Sequence, residues 1–329
     1  MESKWIPTEA EIKQYLMNTV FVQFLIARAK AIRVSRRYVI SLYDVLNEYN
    51  ITHRTEDTTA KSKAVAYNFT LAIFPSIIFL FTLIPYLPFE EYITVQEVLE
   101  FMKVTLPKDV WAFIGPTIED IISRQRGGLL SFGFLLALWL ATNGMYSLID
   151  AFNKIYKSRE TRGIVIKRFI AMILTFIVVI VLLSAILLLV LGQIIVDFVQ
   201  NYVAYIYDIS SYEHLLGRLT QFGIFAVIFL LGISSIYTIA PSVKQRWKFI
   251  TVGSVVGSIL SMLVSGTFSY YLNNFGSYNK VYGSIGALIG IMVWLQMMSW
   301  ILLVGFQINA SIDAIKMKAV KNKNKLDDI

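Results

Sequence analysis

The sequence predicts an all-α polytopic membrane protein with six transmembrane helices and both termini cytoplasmic, and three observations carry that prediction. The chain is 56% hydrophobic and only 16% charged, far fewer charges than a soluble surface of 329 residues requires. Six apolar stretches reach the length of about 20 residues that a helix needs to cross the hydrocarbon layer. Lys and Arg concentrate in alternate connections, as retention of basic residues on the cytoplasmic side demands. Alternating ten-residue strands, the mark of a membrane barrel, are absent, and a helix satisfies its own backbone groups in lipid.

Taken in order, residues 1–63 precede the first span. The start, Met1 to Trp5, does not read as a removable signal peptide. The apolar run Tyr15–Ala27 is too short to cross and continues into Arg28, Lys30, Arg33, Arg36 and Arg37. Ile32, Val39, Ile40, Tyr43 and Leu46 recur near helical spacing. This predicts one or two amphipathic helices in the cytoplasmic interface, their cations near anionic lipid headgroups; a small cytoplasmic helical hairpin is the alternative. The spans are expected at 64–86, 128–152, 168–196, 217–240, 249–272 and 283–311, followed by a basic cytoplasmic tail, 312–329. Between the first two, 87–127 holds seven acidic residues against four basic ones. There Tyr92–Val104 and Asp109–Arg124 read as external amphipathic helices, separated by Pro107 and stopped by Gly127–Gly128.

The charge count fixes the orientation. Ten basic residues lie in 1–63, six in 153–168, three in 242–248 and five after Ser311, 24 on one side. Four in 87–127, with Arg218 and Lys280, make six on the other. The same distribution accounts for the net charge of +8, so no nucleic-acid partner is expected. The chain has no cysteine and two histidines, His53 and His214, which fall on opposite sides of the expected membrane. No phosphate-binding loop, zinc-protease or hydrolase motif occurs. No metal, cofactor or enzymatic activity is expected, and the sequence sets no oligomeric state.

Several stretches are similar to the YihY/BrkB family of bacterial inner-membrane proteins, once labelled "ribonuclease BN". They are Ala64–Tyr67 running to Phe74-Pro75, Leu138–Ala141 followed by Asp150–Tyr156, and a dense region from Tyr237 to Ala310. The last contains Tyr237–Pro241, Trp247, Tyr278–Gly286, Trp294 and the closing Gly305–Ala310. The resemblance covers about residues 20–312 and implies a six-span protein of the bacterial cytoplasmic membrane with envelope functions. Family members carry a glutamate where this chain has Gln307, which weakens any mechanism resting on a titrating carboxylate there.

Within the spans, Asn143, Tyr146, Asp150 and Asn153 share one helical face. Polar groups in lipid must face protein or water, so the stripe either lines a pathway or caps the helix end, with Asp150 paired to Lys154 or Arg168. Gln296, Trp300 and Gln307 share a face of the sixth span, as pathway residues or as interhelical hydrogen-bonding groups. Gly253 and Gly257, with Ser254, Ser258, Ser261 and Ser265, make a small-residue face for close packing or sliding, which Gly283, Gly286 and Gly290 are expected to meet. Pro75 is expected to kink the first span, with Asn68 on the cytoplasmic side of the kink as a further candidate pathway-lining residue.

The function expected is a transporter or flippase-like protein for a lipidic or lipid-linked substrate, without ATP hydrolysis. Its pathway would run between spans one, two, five and six. The alternatives are a non-transporting envelope scaffold and a cation/proton antiporter using Asp150.

Overall fold

The computed structural model describes residues 23, 27, 28, 30–35, 40–55, 57–86, 96, 97, 99, 100, 103, 108–156, 160–184, 213–242, 248–273 and 276–327. Six helices are long and apolar enough to cross a membrane: Thr58–Leu83, Gly127–Ile155, Ile164–Ser184, Phe222–Ile239, Val252–Tyr271 and Leu288–Val320. The chain is an all-α polytopic membrane protein. Its contacts divide it into two compact units, Thr58–Gly305 and residues 1–57 with Phe306–Ile329.

In the smaller unit, strand β1 (Arg33–Ser35) pairs antiparallel with β2 (Ile40–Ser41), and helix α1 (Leu42–Thr55) follows directly. This corrects the helical reading at Ile32 and Ile40, while Tyr43 and Leu46 are helical as expected and Val39 lies outside the described residues. Ser41 Oγ accepts from the Asp44 amide at 3.2 Å, while the Ser41 amide donates to Asp44 Oδ2 at 2.9 Å. Such a reciprocal box fixes a helix start at Leu42. The Ser41 donors also hold the Asp44 carboxyl below its ordinary range. The buried positions are Ile40 and Val45, which pack with Ile308, Ile312 and Ile315, whereas Ile32 and Leu46 are exposed. Lys318 pairs with Glu48 at 2.8 Å. Most of Tyr15–Ala27, and most of Tyr92–Val104, lie outside the described residues.

In the larger unit, α2 (Thr58–Leu83) starts six residues before the expected span because its first turn, Thr58 to Lys63, is polar and reads as loop. A short 3-10 turn, Ile84–Tyr86, ends it. Helix α3 (Lys108–Ile122) buries Ile118 and Ile122 and exposes Glu119 and Asp120. Gly127 and Gly128 open α4 (Gly127–Ile155) rather than stopping α3, which ends at Ile122 before a turn tied by Arg126 to Asp120 at 2.6 Å. Helices α2 and α4 approach closely at two glycines. A Cβ on Gly144 would lie 2.8 Å from the Phe69 ring, and one on Gly133 3.6 Å from Phe79. Pro75 is buried within α2, which remains helical through it.

Helix α5 (Ile164–Ser184) is the described part of span three; the remainder of the expected 168–196 lies outside the described residues. Helices α6 (Glu213–Ile239) and α7 (Val252–Asn273) pack on each other. The Thr251 hydroxyl accepts from the Ser254 amide at 3.1 Å and the Ser254 hydroxyl from the Thr251 amide at 2.9 Å, a second reciprocal box that starts α7. Helix α8 (Gly276–Asp327) is continuous over 52 residues, so the expected end at 311 is passed without a break. Beyond it Ile312 and Ile315 bury apolar surface in the smaller unit. Phe132, Leu135 and Trp139 on α4 and Phe169, Phe176 and Ile180 on α5 are uncovered by protein, the kind of apolar surface that lipid fills.

Candidate functional site

On the polar face of α4, Asn143, Tyr146 and Asp150 meet α5, and no described contact joins these three to the fifth or sixth span. Asp150 accepts from Lys167 Nζ at 2.5 Å, and that ammonium lies 3.6 Å from the centre of the Tyr146 ring. Lys167 is 6% exposed and Asp150 45%, so burial falls on the cation and the pair relieves it. One residue on, Arg168 Nη1 donates to Asn143 Oδ1 at 2.6 Å, with its guanidinium 3.8 Å from the Trp139 ring centre and 5.9 Å from that of Tyr146. Asp150 therefore pairs with Lys167 rather than with Lys154 or Arg168.

Asn153 has a different task. Its Nδ2 donates to Glu160 Oε2 at 2.7 Å and its Oδ1 accepts from the Ser242 amide at 2.9 Å. Arg162 grips the same carboxylate at 2.8 and 2.9 Å and also donates to Ala240 O at 2.9 Å, a carbonyl at the end of α6. A cation at that end satisfies an orphan carbonyl and complements the helix dipole. The Arg162 donors hold the Glu160 carboxyl below its ordinary range, against the opposing effect of burial.

Asn68 joins the first span to the second, donating to Ser147 Oγ at 2.9 Å and to Ala64 O at 3.0 Å. Gln296 is half-buried and Trp300 is 39% exposed; no described contact joins either to the α4 face. Gln307 is fully buried and belongs to the other unit. Trp294 stacks on Phe268, 5.8 Å between ring centres.

Tyr237, 1% exposed, is the packing node of the larger unit. Its hydroxyl donates to Leu302 O of α8 at 2.8 Å and lies 3.3 Å from where a Gly257 Cβ would sit. A Gly305 Cβ would meet the same hydroxyl and Gly253 O, 2.7 Å away. Phe152 of α4 meets the Tyr237 ring edge-on at 5.7 Å. Thus Gly257 accommodates an aromatic side chain of α6, and Gly290 faces Phe268 and Tyr271 of α7. The surroundings of Gly283 and Gly286 lie outside the described residues.

The sequence reading missed Lys167 as a partner, together with Glu160, Arg162 and Trp139. Lys167 and Arg168 were absorbed into the charge count of the 153–168 connection. The available signal was their place: each lies inside the first turns of a span, bracketed by Ile164–Ile166 and Phe169–Ile170. Among the described residues no three His, Asp or Glu side chains group as a metal site.

A family model described as "Virulence factor BrkB" matches residues 53–328. The "Putative ribonuclease-like protein YfkH" of Bacillus subtilis is 31% identical over 279 residues, 85% of this chain and 98% of that protein. A "UPF0761 membrane protein" of Tolumonas auensis is 24% identical, covering 75% of this chain and 78% of its own length. A similar protein of Mannheimia succiniciproducens is also 24% identical, over 79% and 86%. No solved structure matches. With six apolar helices of spanning length and a family match over most of its residues, the chain belongs to the BrkB virulence factor family of multi-pass membrane proteins.

Proposed function

We propose that this protein is a transporter or flippase-like protein of the bacterial cytoplasmic membrane that moves a lipidic or lipid-linked substrate without hydrolysing ATP. The observation that carries the reading is the polar set between α4 and α5, Asn143 with Arg168 and Asp150 with Lys167, in segments otherwise apolar. Ionisable groups in a span are costly, and by default they mark a ligand site or pathway. The excess of 24 basic residues on one side against six supports cytoplasmic termini, which puts the flanks 1–63 and 312–329 and the Asp150–Lys167 end of the site on the cytoplasmic side. The ribonuclease-like label of the Bacillus relative is not carried over, because His53 and His214 lie in separate helices, α1 and α6, with no motif around either. The experiment is reconstitution of the purified protein in liposomes with fluorescent lipid and, separately, with ion-sensitive dyes. Lipid movement above that of protein-free vesicles is expected; none across phospholipid and lipid-linked probes would refute the reading.

A scaffold of the envelope is the second reading, favoured by α3, whose Glu119 and Asp120 stand exposed beside a buried Ile118–Ile122 face. It requires a bundle that passes nothing and a partner that binds the acidic face. Cation/proton antiport, the third, rests on Asp150 as proton carrier and requires pH-driven dye signals that Asp150→Asn abolishes.

A further inference from the structure

We propose that Arg168, together with Asn143, Tyr146 and Trp139, forms a binding site for the phosphate group of a membrane lipid on the uncovered face of α4 and α5. The inference starts from a charge imbalance. Two cations, Lys167 and Arg168, enter the first turns of α5 side by side, and Asp150 is taken by Lys167. Among the described residues no carboxylate is paired with Arg168. A guanidinium has five N–H donors; one is used, on Asn143 Oδ1 at 2.6 Å, and Nη2 is enclosed by protein without a hydrogen-bond partner, while the side chain as a whole is only half-buried, which leaves part of it open to a ligand. An unbalanced cation in apolar surroundings is expensive, and a stack on Trp139 at 3.8 Å offsets only part of that. The missing component is an anion.

The surroundings say which source supplies it. Trp139 is 60% exposed, and Phe169, Phe176 and Ile180, which follow Arg168 along α5 toward the interior of the bilayer, are 61%, 47% and 61% exposed. A free ion would find these apolar surfaces of no use, whereas a lipid sets acyl chains against them while its phosphate meets the open part of the guanidinium. Arg suits this role, since its guanidinium stays charged and its hydrogen bonds to phosphate are charge-assisted. The Tyr146 ring, 5.9 Å from the guanidinium, closes the side toward Lys167. The proposal deepens the transport reading by giving its lipid an anionic phosphate, and it rests on that reading only for calling the lipid a substrate.

The test is an equilibrium one, separate from flux. The full-length protein in uncharged detergent is titrated with short-chain phosphatidic acid, with the matching diacylglycerol and with sodium phosphate, and binding is followed by thermal shift and native mass spectrometry. Phosphatidic acid should stabilise and remain bound, the other two should not, and Arg168→Gln should weaken it by about tenfold or more. Unchanged binding in that variant, equal binding of diacylglycerol, or displacement of the lipid by sodium phosphate would overturn the proposal. If Arg168→Gln does not fold, Trp139→Leu, at an exposed position, should weaken binding about threefold or more, and no change there would equally overturn it. Loss of binding with lipid flux intact leaves the transport reading standing and removes this site; binding without flux does the reverse.

Discussion

Gly305→Ala adds one methyl group at the point where α6, α7 and α8 come together. The new Cβ would stand 2.7 Å from Gly253 O and closer still to the Tyr237 hydroxyl, where ordinary contact begins at 3.4 Å. One obstacle is backbone on α7 and the other is fixed by its hydrogen bond to Leu302 O, so neither can rotate aside. Relief requires the helices to separate, and overpacking of this kind costs about 1–3 kcal/mol. Tyr237→Phe alone loses one interhelical hydrogen bond, about 0.6 kcal/mol in a membrane setting. Combined, the two changes should cost less than their sum, because deleting the hydroxyl removes one of the two clashes; the remainder belongs to Gly253 O. Thermal unfolding in detergent of the four variants of this cycle measures the coupling. A Gly305→Ala protein as stable as the parent, or strict additivity with Tyr237→Phe, would refute the reasoning.

Gly144→Ala should lower the melting temperature because its Cβ meets the Phe69 ring at 2.8 Å, whereas Gly133→Ala, at 3.6 Å from Phe79, should be neutral in the same measurement. The Glu160 carboxyl is depressed in the folded state, so its stabilisation is complete above the ordinary carboxylate value of 4.5 and is lost as pH falls through the lower folded value. Melting curves taken downward from neutral pH should therefore show a slope that Glu160→Gln flattens. Lys167→Met with Asp150→Asn should be more stable than Asp150→Asn alone, since the single change strands a buried ammonium; equal melting temperatures would sink that account. In the flux assay Asp150→Asn should lower lipid movement, because it breaks the pair in the polar set, and a loss confined to pH-driven dye signals at unchanged abundance would favour antiport.

The spans were legible because a crossing helix must be apolar for about 20 residues whatever it packs on. Their ends were not, because Thr58 to Lys63 and Ser311 to Asp327 are helical for reasons of packing or capping that hydropathy does not register. The ribbon before α1 was hidden by a coincidence: Ile32, Ile40 and Leu46 fall near helical spacing, while the Ser41-Leu42-Tyr43-Asp44 capping signature pointed to the true start. For the site, Asn143, Tyr146 and Asp150 could be put on one face by arithmetic, but arithmetic along one helix does not say which other helix that face meets. Lys167 lies 17 residues from Asp150 across a turn, and Arg168 25 from Asn143. Both cations already had a sufficient explanation as topology signals, so a second role left no separate trace in composition.

Asn153 spends its amide in both directions, nitrogen toward Glu160 and oxygen toward the Ser242 amide, 89 residues along the chain. An amide is the one common side chain of this size that donates at one tip and accepts at the other. Asn153→Asp keeps the shape to within one atom yet turns the donating tip into an acceptor facing another carboxylate. Arg162 would then be drawn between two acids, away from Ala240 O. Spontaneous deamidation makes the same one-atom exchange, so chemical ageing at this position would slacken the end of α6 without any change in the encoded chain.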